Sequence, residues 1–359
     1  MSVDTLDIFV SGHGQRDNLG DSGLRRGLLR TLRRAGRLHV LVDDSHRSYE
    51  SGLQLEPDDV VYRSRKRWGA ELRSLTTTGR TAYGANAGEL VASPGTVARL
   101  ETEDRRFIRD GLRRGGLFLH LGYGLRNPAS PWARVLGQRL SMGSLVTWRD
   151  DASCTAAGVG TVVPDWAFGE GQSSEQLRAR AASPRDIVAL SLRCDRPAPS
   201  DRWIENVRAF AHAQGAEVVA VPQVARDREA AFDVARRLEG RVLDWPGVSH
   251  AEYEELVRGL YTRSIAVLGD RLHALVFGAT EGAVPVVFGT APDAKIGRTL
   301  TAAGLTGFAV DDPEAGDAPE RLQRLVDRRH ELPDHLDVAR SAIADLGERV
   351  VRAAERRAG

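Results

Sequence analysis

An arginine and a histidine stand two positions apart where a short apolar run ends and a helical pattern begins. The segment is Leu268-Gly269-Asp270-Arg271-Leu272-His273, and small or apolar residues follow it as far as Ala279. This pattern places the Arg271 guanidinium and the His273 imidazole in the first turn of a helix. Two cationic groups there oppose the helix macrodipole, so we expect a bound anion to compensate them. The alternative is a purely structural role at the start of a buried helix.

Two more basic residues stand near the ends of predicted strands. Arg193 follows Ser191-Leu192, and Lys295 opens the helix that comes after the strand predicted at 284–288. A guanidinium in such a place can hold a carboxylate or phosphate through two parallel hydrogen bonds. The rival interpretation is a surface arginine, because only two of the 50 basic residues are lysines. Imidazole suits proton transfer near neutral pH, so His273 is the candidate acid or base.

A glycine-rich loop, Gly12-His13-Gly14-Gln15, follows the first predicted strand and leads to Asp21. Glycines let a backbone approach a ligand closely, and the next helix start favours anions or hydroxyl-rich groups. The loop lacks the dinucleotide fingerprint, and the alternative is a flexible loop with Asp21 as a helix cap. Gly122 is a second glycine at which the backbone can approach a ligand closely. We interpret His120, two residues earlier, as a packed strand residue.

Short β-rich runs alternate with amphipathic helical runs along the whole chain, a pattern typical of parallel sheets with crossover helices. We predict an α/β fold with a Rossmann-like lobe at 1–168, a linker at 169–185, a second Rossmann-like lobe at 186–332 and a C-terminal helix at 333–359. The lobes would enclose a cleft, with ligands at the carboxyl ends of the strands. Residues 62–98 are predicted to form a long loop with little regular structure, and residues 101–114 a helix.

Composition narrows the class of protein. The chain has 359 residues, 28% of them charged, and a net charge of +1, which argues against a nucleic-acid partner. Cys154 and Cys194 form no pattern, so we expect no metal site, no disulfide framework and a cytoplasmic location. No apolar run approaches the ~20 residues that cross a bilayer, so membrane contact would be peripheral. The basic run at 63–68 is a solvated loop or a contact for a lipid-linked phosphate.

Several short motifs, each weak alone, occur in a specific order. They are Asn18-Leu19-Gly20-Asp21, Arg149-Asp150 with Ser153, Pro164-Asp165, Ser191-Leu192-Arg193, Arg271-Leu272-His273, and Val284-Pro285 followed by Asp293 and Lys295. Taken together, they resemble the polysaccharide pyruvyltransferase family over most of the chain. From the residues alone, we expect Arg149 and Asp150 to form a structural ion pair.

The resemblance implies a fold like that of GT-B glycosyltransferases and a role in polysaccharide biosynthesis. It implies transfer of a pyruvyl unit from phosphoenolpyruvate to a sugar, giving a ketal and phosphate, without a cofactor. The donor would be held by Arg193, Arg271, Leu272, His273 and Lys295. His273 and Arg271 would be the catalytic pair.

The same resemblance implies that a sugar or glycan acceptor, lipid-linked in one reading, contacts Asn18, Asp21 and Gly122. Asp270 departs from the family pattern, because an extra carboxylate beside an anion site is unfavourable unless it faces away or orients Arg271. Two rivals remain: a GT-B-like glycosyltransferase that uses a nucleotide sugar, with Glu281 as the ribose ligand, and a non-catalytic carbohydrate-binding relative.

Overall fold

The structure is a computed structural model that describes residues 6–42, 47–77, 81–85, 87–99, 110–245, 247–291 and 294–358. The chain divides into two compact units. The first comprises residues 1–15, 21–166 and 341–359, and the second comprises residues 16–20 and 167–340. Each unit is an α/β structure built on a parallel sheet, as the alternating sequence pattern predicts. No helix within the described ranges is long and apolar enough to cross a membrane.

The first sheet contains eight parallel strands. In space, seven of them follow the order β3-β2-β1-β4-β6-β7-β8, and β5 pairs with part of β6. The order reverses between β1 and β4, as in doubly wound sheets. The strands are β1 Leu6–Ser11, β2 Gly36–Leu41, β3 Val60–Tyr62, β4 Thr81–Ala85, β5 Gly88–Leu90, β6 Leu117–Leu125, β7 Leu145–Trp148 and β8 Thr161–Val162.

Helices cover this sheet with apolar side chains. They are α1 Leu19–Arg33, α2 Arg47–Ser51, α3 Arg65–Thr76, α4 Pro94–Arg99, α5 Trp132–Leu140 and α6 Asp151–Ala157. The centre of α1 buries Leu24, Leu28 and Leu32 at the helical spacing of four residues. Gly137 of α5 lies directly against the backbone of Ala157, where a larger side chain would not fit.

The second sheet has five parallel strands in the order β11-β10-β9-β12-β13. They are β9 Ile187–Ser191, β10 Glu217–Ala220, β11 Arg241–Val242, β12 Ser264–Gly269 and β13 Val284–Val287. The order reverses between β9 and β12, which are hydrogen-bonded from Ser264 to Gly269. In doubly wound sheets, this reversal is the switch point at whose carboxyl edge ligands bind.

The helices of the second unit follow its strands closely. They are α7 Ser174–Ala179, α8 Asp201–Ala213, α9 Arg228–Arg237, α10 His250–Tyr261, α11 Leu272–Thr280, α12 Ala294–Ala302 and α13 Ala318–Asp327. The last helix, α14 Leu332–Ala358, begins in the second unit and ends in the first. Helix α11 is buried along its entire length, which explains its uniformly apolar sequence.

The prediction of a long irregular loop at 62–98 is wrong. This stretch contains α3, β4, β5 and α4. Trp68 and Leu72 lie one helical turn apart and are buried in α3, but the arginines and glycines around them hide the helical period. Strand β4 escapes detection because its residues apart from Tyr83 are small, and Gly84 packs against Leu32 and Val10. Most of the helix predicted at 101–114 lies outside the described residues.

The observed units differ from the predicted lobes at two points. Residues 16–20 group with the second unit, because Leu19 donates a backbone hydrogen bond to the Gln223 carbonyl at 3.1 Å and Asn18 pairs with Val224. Residues 341–359 group with the first unit. The polar segment predicted as a linker contains α7, whose start is closed by a capping box between Ser173 and Gln176.

Candidate functional site at the edge of the second sheet

The carboxyl ends of β9 and β12 meet at the switch point of the second sheet. Gly269, the last residue of β12, pairs with Ser191, the last residue of β9. Its φ is +152°, and a Cβ atom there would overlap the Ser191 carbonyl. Only glycine meets both conditions. The sequence-predicted residues Arg193 and Arg271 therefore leave the sheet from neighbouring strands.

Asp270 ties these two strand ends together. Its Oδ1 atom accepts a hydrogen bond of 2.8 Å from the Arg193 N–H, and its own N–H donates to the Ser191 carbonyl at 3.2 Å. A Cβ atom on Gly289, just after β13, would come within 2.8 Å of Asp270. Burial raises the pKa of Asp270, against the opposing effect of the Arg193 N–H. The carboxylate that departs from the family pattern thus holds the loop of Arg193.

Arg271 is fixed by a buried carboxylate that the sequence argument missed. It occupies the N-cap position of α11, and its Nε and Nη2 atoms donate to the two oxygens of Asp227, both at 2.6 Å. Asp227 is fully buried and also accepts the Cys194 N–H at 3.0 Å. The sequence predicts that a bound anion compensates the positive charge of Arg271, but the Asp227 carboxylate already does so. The sequence signal that could have identified Asp227 is its position shortly after β10, whose carboxyl end lies at the same edge of the sheet.

Arg193 is also paired, but with a solvent-exposed partner. Its Nε and Nη2 atoms donate to the Asp195 carboxylate at 2.8 and 2.7 Å. The Asp195 side chain is 59% exposed, and its hydrogen bonds with Arg193 lower its pKa to about 2. Lys295 lies in the first turn of α12, after β13. Its motif partner Asp293 lies outside the described residues.

His273 lies against the Asn18-Leu19-Gly20 segment. It is the second residue of α11 and 8% exposed, after Leu272, which is equally buried. A Cβ atom on Gly20 would overlap the His273 ring and Cβ. The Asn18 Oδ1 atom accepts the Gly20 N–H at 3.1 Å, which caps the start of α1. Two motifs that are more than 250 residues apart in the sequence therefore meet at one place.

The segment around Asn18 has two further anchors within the second unit. The Asp17 carboxylate accepts two hydrogen bonds of 2.7 Å from Arg226, and these lower the pKa of Asp17. The His250 Nε2 atom lies 2.7 Å from the Arg16 carbonyl oxygen. These contacts attach the Asn18-Leu19-Gly20 segment to the second unit beside His273.

The other acceptor candidates lie in the first unit. Asp21 accepts the Gln15 N–H at 2.7 Å and lies 3.4 Å from Arg25, so it organises the glycine-rich loop. The Gly122 N–H donates to Thr147 at 3.0 Å, and its φ is +76°. A Cβ atom on Gly122 would overlap the Trp166 indole. The acceptor roles of these residues remain predictions.

The expected ion pair between Arg149 and Asp150 is wrong. Arg149 lies 3.2 Å from Asp165 instead, and both residues are buried. Asp150 is the N-cap of α6 and accepts two hydrogen bonds of 2.9 Å from Ser153. The motif residues Arg149 and Asp165 thus form one buried pair, and Asp150 and Ser153 form a helix cap.

Glu281, the expected ribose ligand of a nucleotide sugar, has a structural role. It is 4% exposed and follows the C-terminal end of α11, whereas Arg271 and His273 lie at the opposite end. Its carboxylate accepts hydrogen bonds from Arg258 at 2.7 Å and from Gln172 at 2.9 Å. The Glu281 carboxylate is therefore engaged by Arg258 and Gln172, at the end of α11 opposite to Arg271 and His273.

Comparison with known proteins places the fold. A Listeria monocytogenes protein assigned as a UDP-N-acetylglucosamine 2-epimerase matches 95% of this chain and 94% of its own, at 10% identity and a TM-score of 0.51. Anabaena HepE in complex with UDP matches 98% of both chains at 13% identity and a TM-score of 0.50. AviGT4, a glycosyltransferase of avilamycin A biosynthesis, also matches 98% of both chains, at 14% identity and a TM-score of 0.49.

The fold is GT-B-like. Two Rossmann-like units and a C-terminal helix are present, as the sequence predicts. No protein-family model matches the chain, and no curated protein matches it. The similarity to a pyruvyltransferase family therefore rests on the motifs alone, and the solved structures support the broader class of GT-B-like proteins.

Proposed function

We propose that this protein is a transferase that moves a group from a phosphate-bearing donor to a sugar. The observation that carries the proposal is the way in which Arg271 is presented at the switch point. Asp227 engages the Nε and Nη2 atoms, which leaves the Nη1 side of the guanidinium to bind an anion. His273, two residues on, supplies an imidazole at the same helix start.

The second guanidinium is that of Arg193, whose present partner a bound anion can replace. Arg193 leaves the neighbouring strand, and its partner Asp195 is exposed, so a donor anion can displace that carboxylate without burying a charge. In this proposal, Arg271 is the fixed anion ligand and Arg193 the movable one. Lys295, at the start of α12, would contribute a third positive charge.

A nucleotide sugar is the donor that the structural comparisons favour. HepE, which shares the fold, was solved with UDP, and its diphosphate chemistry fits a helix start with an arginine. Under this reading, Arg193 and Arg271 bind the diphosphate, and the transferred group is a sugar. A residue other than Glu281 must then hold the ribose.

Phosphoenolpyruvate is the donor that the motif residues favour. Its carboxylate and phosphate match two guanidinium groups, and His273 would protonate its methylene carbon. Protonation makes an oxocarbenium-like carbon, which two neighbouring sugar hydroxyls attack in turn with loss of phosphate. Positioning and charge neutralisation would supply most of the acceleration.

Titration calorimetry with phosphoenolpyruvate, UDP-glucose and UDP separates the two donors. Phosphate release from phosphoenolpyruvate across a panel of sugar acceptors, with mass detection of the ketal, tests the pyruvyl reaction directly. UDP release from UDP-glucose with the same acceptors tests the glycosyl reaction. Failure of both donors to bind would refute the transferase proposal.

His273→Ala tests the role of the imidazole. We expect turnover to fall by about 10²-fold or more while donor binding survives, since general acid–base catalysis contributes about that much. His330→Ala is the matched control, because His330 lies on an exposed turn between α13 and α14. Unchanged turnover in His273→Ala would remove the proton-transfer role and leave the anion site intact.

A further inference from the structure

Gln223 carries a buried carboxamide whose hydrogen bonds are unmade. The residue is 1% exposed, and both Oε1 and Nε2 are buried with no hydrogen-bond partner. Within the described part of the chain, it is the one side chain with two such atoms. A buried polar group without a partner destabilises the folded state, so folding alone does not explain this side chain.

The position of Gln223 connects it to the site described above. It follows β10 by three residues, at the carboxyl edge of the second sheet. Its carbonyl accepts the Leu19 N–H, and Leu19 is followed by Gly20, which lies against His273. Four residues further on, Asp227 holds Arg271. The backbone of Gln223 thus contacts the Asn18–Gly20 segment, and the loop that it begins carries the carboxylate that holds the proposed anion ligand.

We propose that Gln223 is a substrate-binding residue whose carboxamide binds a sugar hydroxyl. A carboxamide offers one acceptor and one donor group side by side. A phosphate or an ionised carboxylate only accepts hydrogen bonds, so neither can satisfy Oε1. A hydroxyl both donates and accepts, and a pair of adjacent hydroxyls satisfies both amide atoms. This assignment rests on the proposed function, because it takes the sugar as part of the substrate.

Two other groups could bind the Gln223 carboxamide, and each would lead to a different experimental result. A buried water that bridges Gln223 to the protein would make the side chain part of the fold. The imide edge of uracil also presents a donor beside an acceptor, and the ribose carries two adjacent hydroxyls, so the uridine group of a nucleotide is a third occupant that involves no pyranose hydroxyl. Substitution by an apolar residue of similar length separates the three cases.

Gln223→Met is the test variant, and Gln138→Met is its control, since Gln138 is exposed on α5. Without ligand, we expect the Gln223→Met melting temperature to rise by about 2 °C, because two unsatisfied polar atoms are removed. A lower melting temperature than that of the wild type would identify a structural water and overturn the proposal.

Binding is then measured by titration calorimetry with four probes. UDP-glucose and methyl β-D-glucopyranoside carry sugar hydroxyls on a pyranose ring, and UDP and phosphoenolpyruvate lack that ring. We expect Gln223→Met to weaken the two pyranose probes about tenfold and to change the other two less than twofold. An equal loss for UDP and UDP-glucose would assign the amide to the uridine group, through its uracil or its ribose hydroxyls, and overturn the assignment to a pyranose, as would no change for any probe.

The outcomes also separate this inference from the proposed function. A wild-type protein that binds phosphoenolpyruvate or UDP but neither pyranose probe keeps the phosphate-donor proposal and overturns the role of Gln223. A wild-type protein that binds a pyranose through Gln223, but neither phosphate compound, supports the role of Gln223 and refutes the donor site.

Discussion

Arg271 and Asp227 form a bidentate ion pair in which the carboxylate is fully buried and the guanidinium is 14% exposed. The two residues follow different strands of the second sheet and meet at its carboxyl edge. The pair fixes the guanidinium at the start of α11, and Asp227 simultaneously holds the Cys194 N–H at 3.0 Å. One carboxylate therefore organises two of the loops that form the candidate site.

We expect Asp227→Ala to lower the free energy of unfolding by about 3 kcal/mol, because it leaves a largely buried guanidinium without its partner. Urea denaturation measures this change. Asp233→Ala is the control: Asp233 pairs with Arg236 at 2.7 Å, but both side chains are about two-thirds exposed or more. That variant should change stability by less than about 1 kcal/mol. Equal effects of the two variants would argue against an organising role for Asp227.

If Arg193 binds the donor as proposed, its ion pair with Asp195 must compete with that contact. The Asp195 pKa of about 2 keeps this carboxylate ionised throughout any ordinary assay, so the charge of Asp195 itself does not change between pH 5 and 9. We expect Asp195→Asn to bind phosphoenolpyruvate or UDP up to about fivefold more tightly, the equivalent of one exposed ion pair. The matched control is Asp186→Asn, which removes an exposed pair with Arg263 just before β9, at the amino end of that strand. If both variants bind with wild-type affinity, Arg193 is not a donor ligand.

Gly20→Ala should displace His273, because the added methyl group would overlap its ring. Both stability and turnover are expected to fall, with turnover approaching that of His273→Ala. Gly259→Ala serves as the control, since no atom lies within 4 Å of a Cβ atom at that position of α10. Its higher helix propensity should stabilise the protein by up to about 1 kcal/mol. Normal turnover in Gly20→Ala would show that the position of His273 is unimportant.

His120 makes the first unit sensitive to acid. Burial lowers its pKa to about 3, and its ring stacks on Tyr123 at 4.2 Å. The imidazole is neutral in the folded protein and charges near pH 6.5 when unfolded. Its contribution to stability is therefore complete above pH 6.5 and is lost as the pH falls towards 3, at up to about 1.4 kcal/mol per pH unit.

His120→Phe should flatten the decline of stability between pH 6.5 and 4, because phenylalanine preserves the stacking without a titrating group. Urea denaturation at several pH values measures the slope. The exposed His212 of α8 provides the comparison, and His212→Phe should leave the slope close to that of the wild type. An unchanged slope in His120→Phe would place the acid-sensitive group elsewhere.

The sequence predicts the second unit better than the first, for a physical reason. Strands β9, β12 and β13 are nearly continuous apolar runs, because both faces of a parallel sheet are covered, and such runs are easily recognised. Between β3 and α4, the strands are short, and the residues of β4 other than Tyr83 are small. The sequence there contains few large apolar residues at regular spacing, so it does not predict these elements, although their residues are closely packed.

The candidate site shows the same division between local and long-range information. The helix start at Arg271 and His273 is a local feature and is present as predicted. The partners are non-local: Asp227 binds Arg271, and Asp270 binds the backbone N–H of Arg193. A single sequence does not determine such pairings, because they depend on which strands are neighbours in the sheet.

The contact between Gly20 and His273 limits how this protein can be divided or recombined. The second unit is not a continuous stretch of polypeptide, since it needs residues 16–20 as well as residues 167–340. A gene fragment that encodes only the C-terminal half would produce a unit lacking the segment that packs against His273. Chimaeras made by exchanging C-terminal halves between related proteins would therefore have to carry the Asn18-Leu19-Gly20 segment with them, although this segment lies near the start of the sequence.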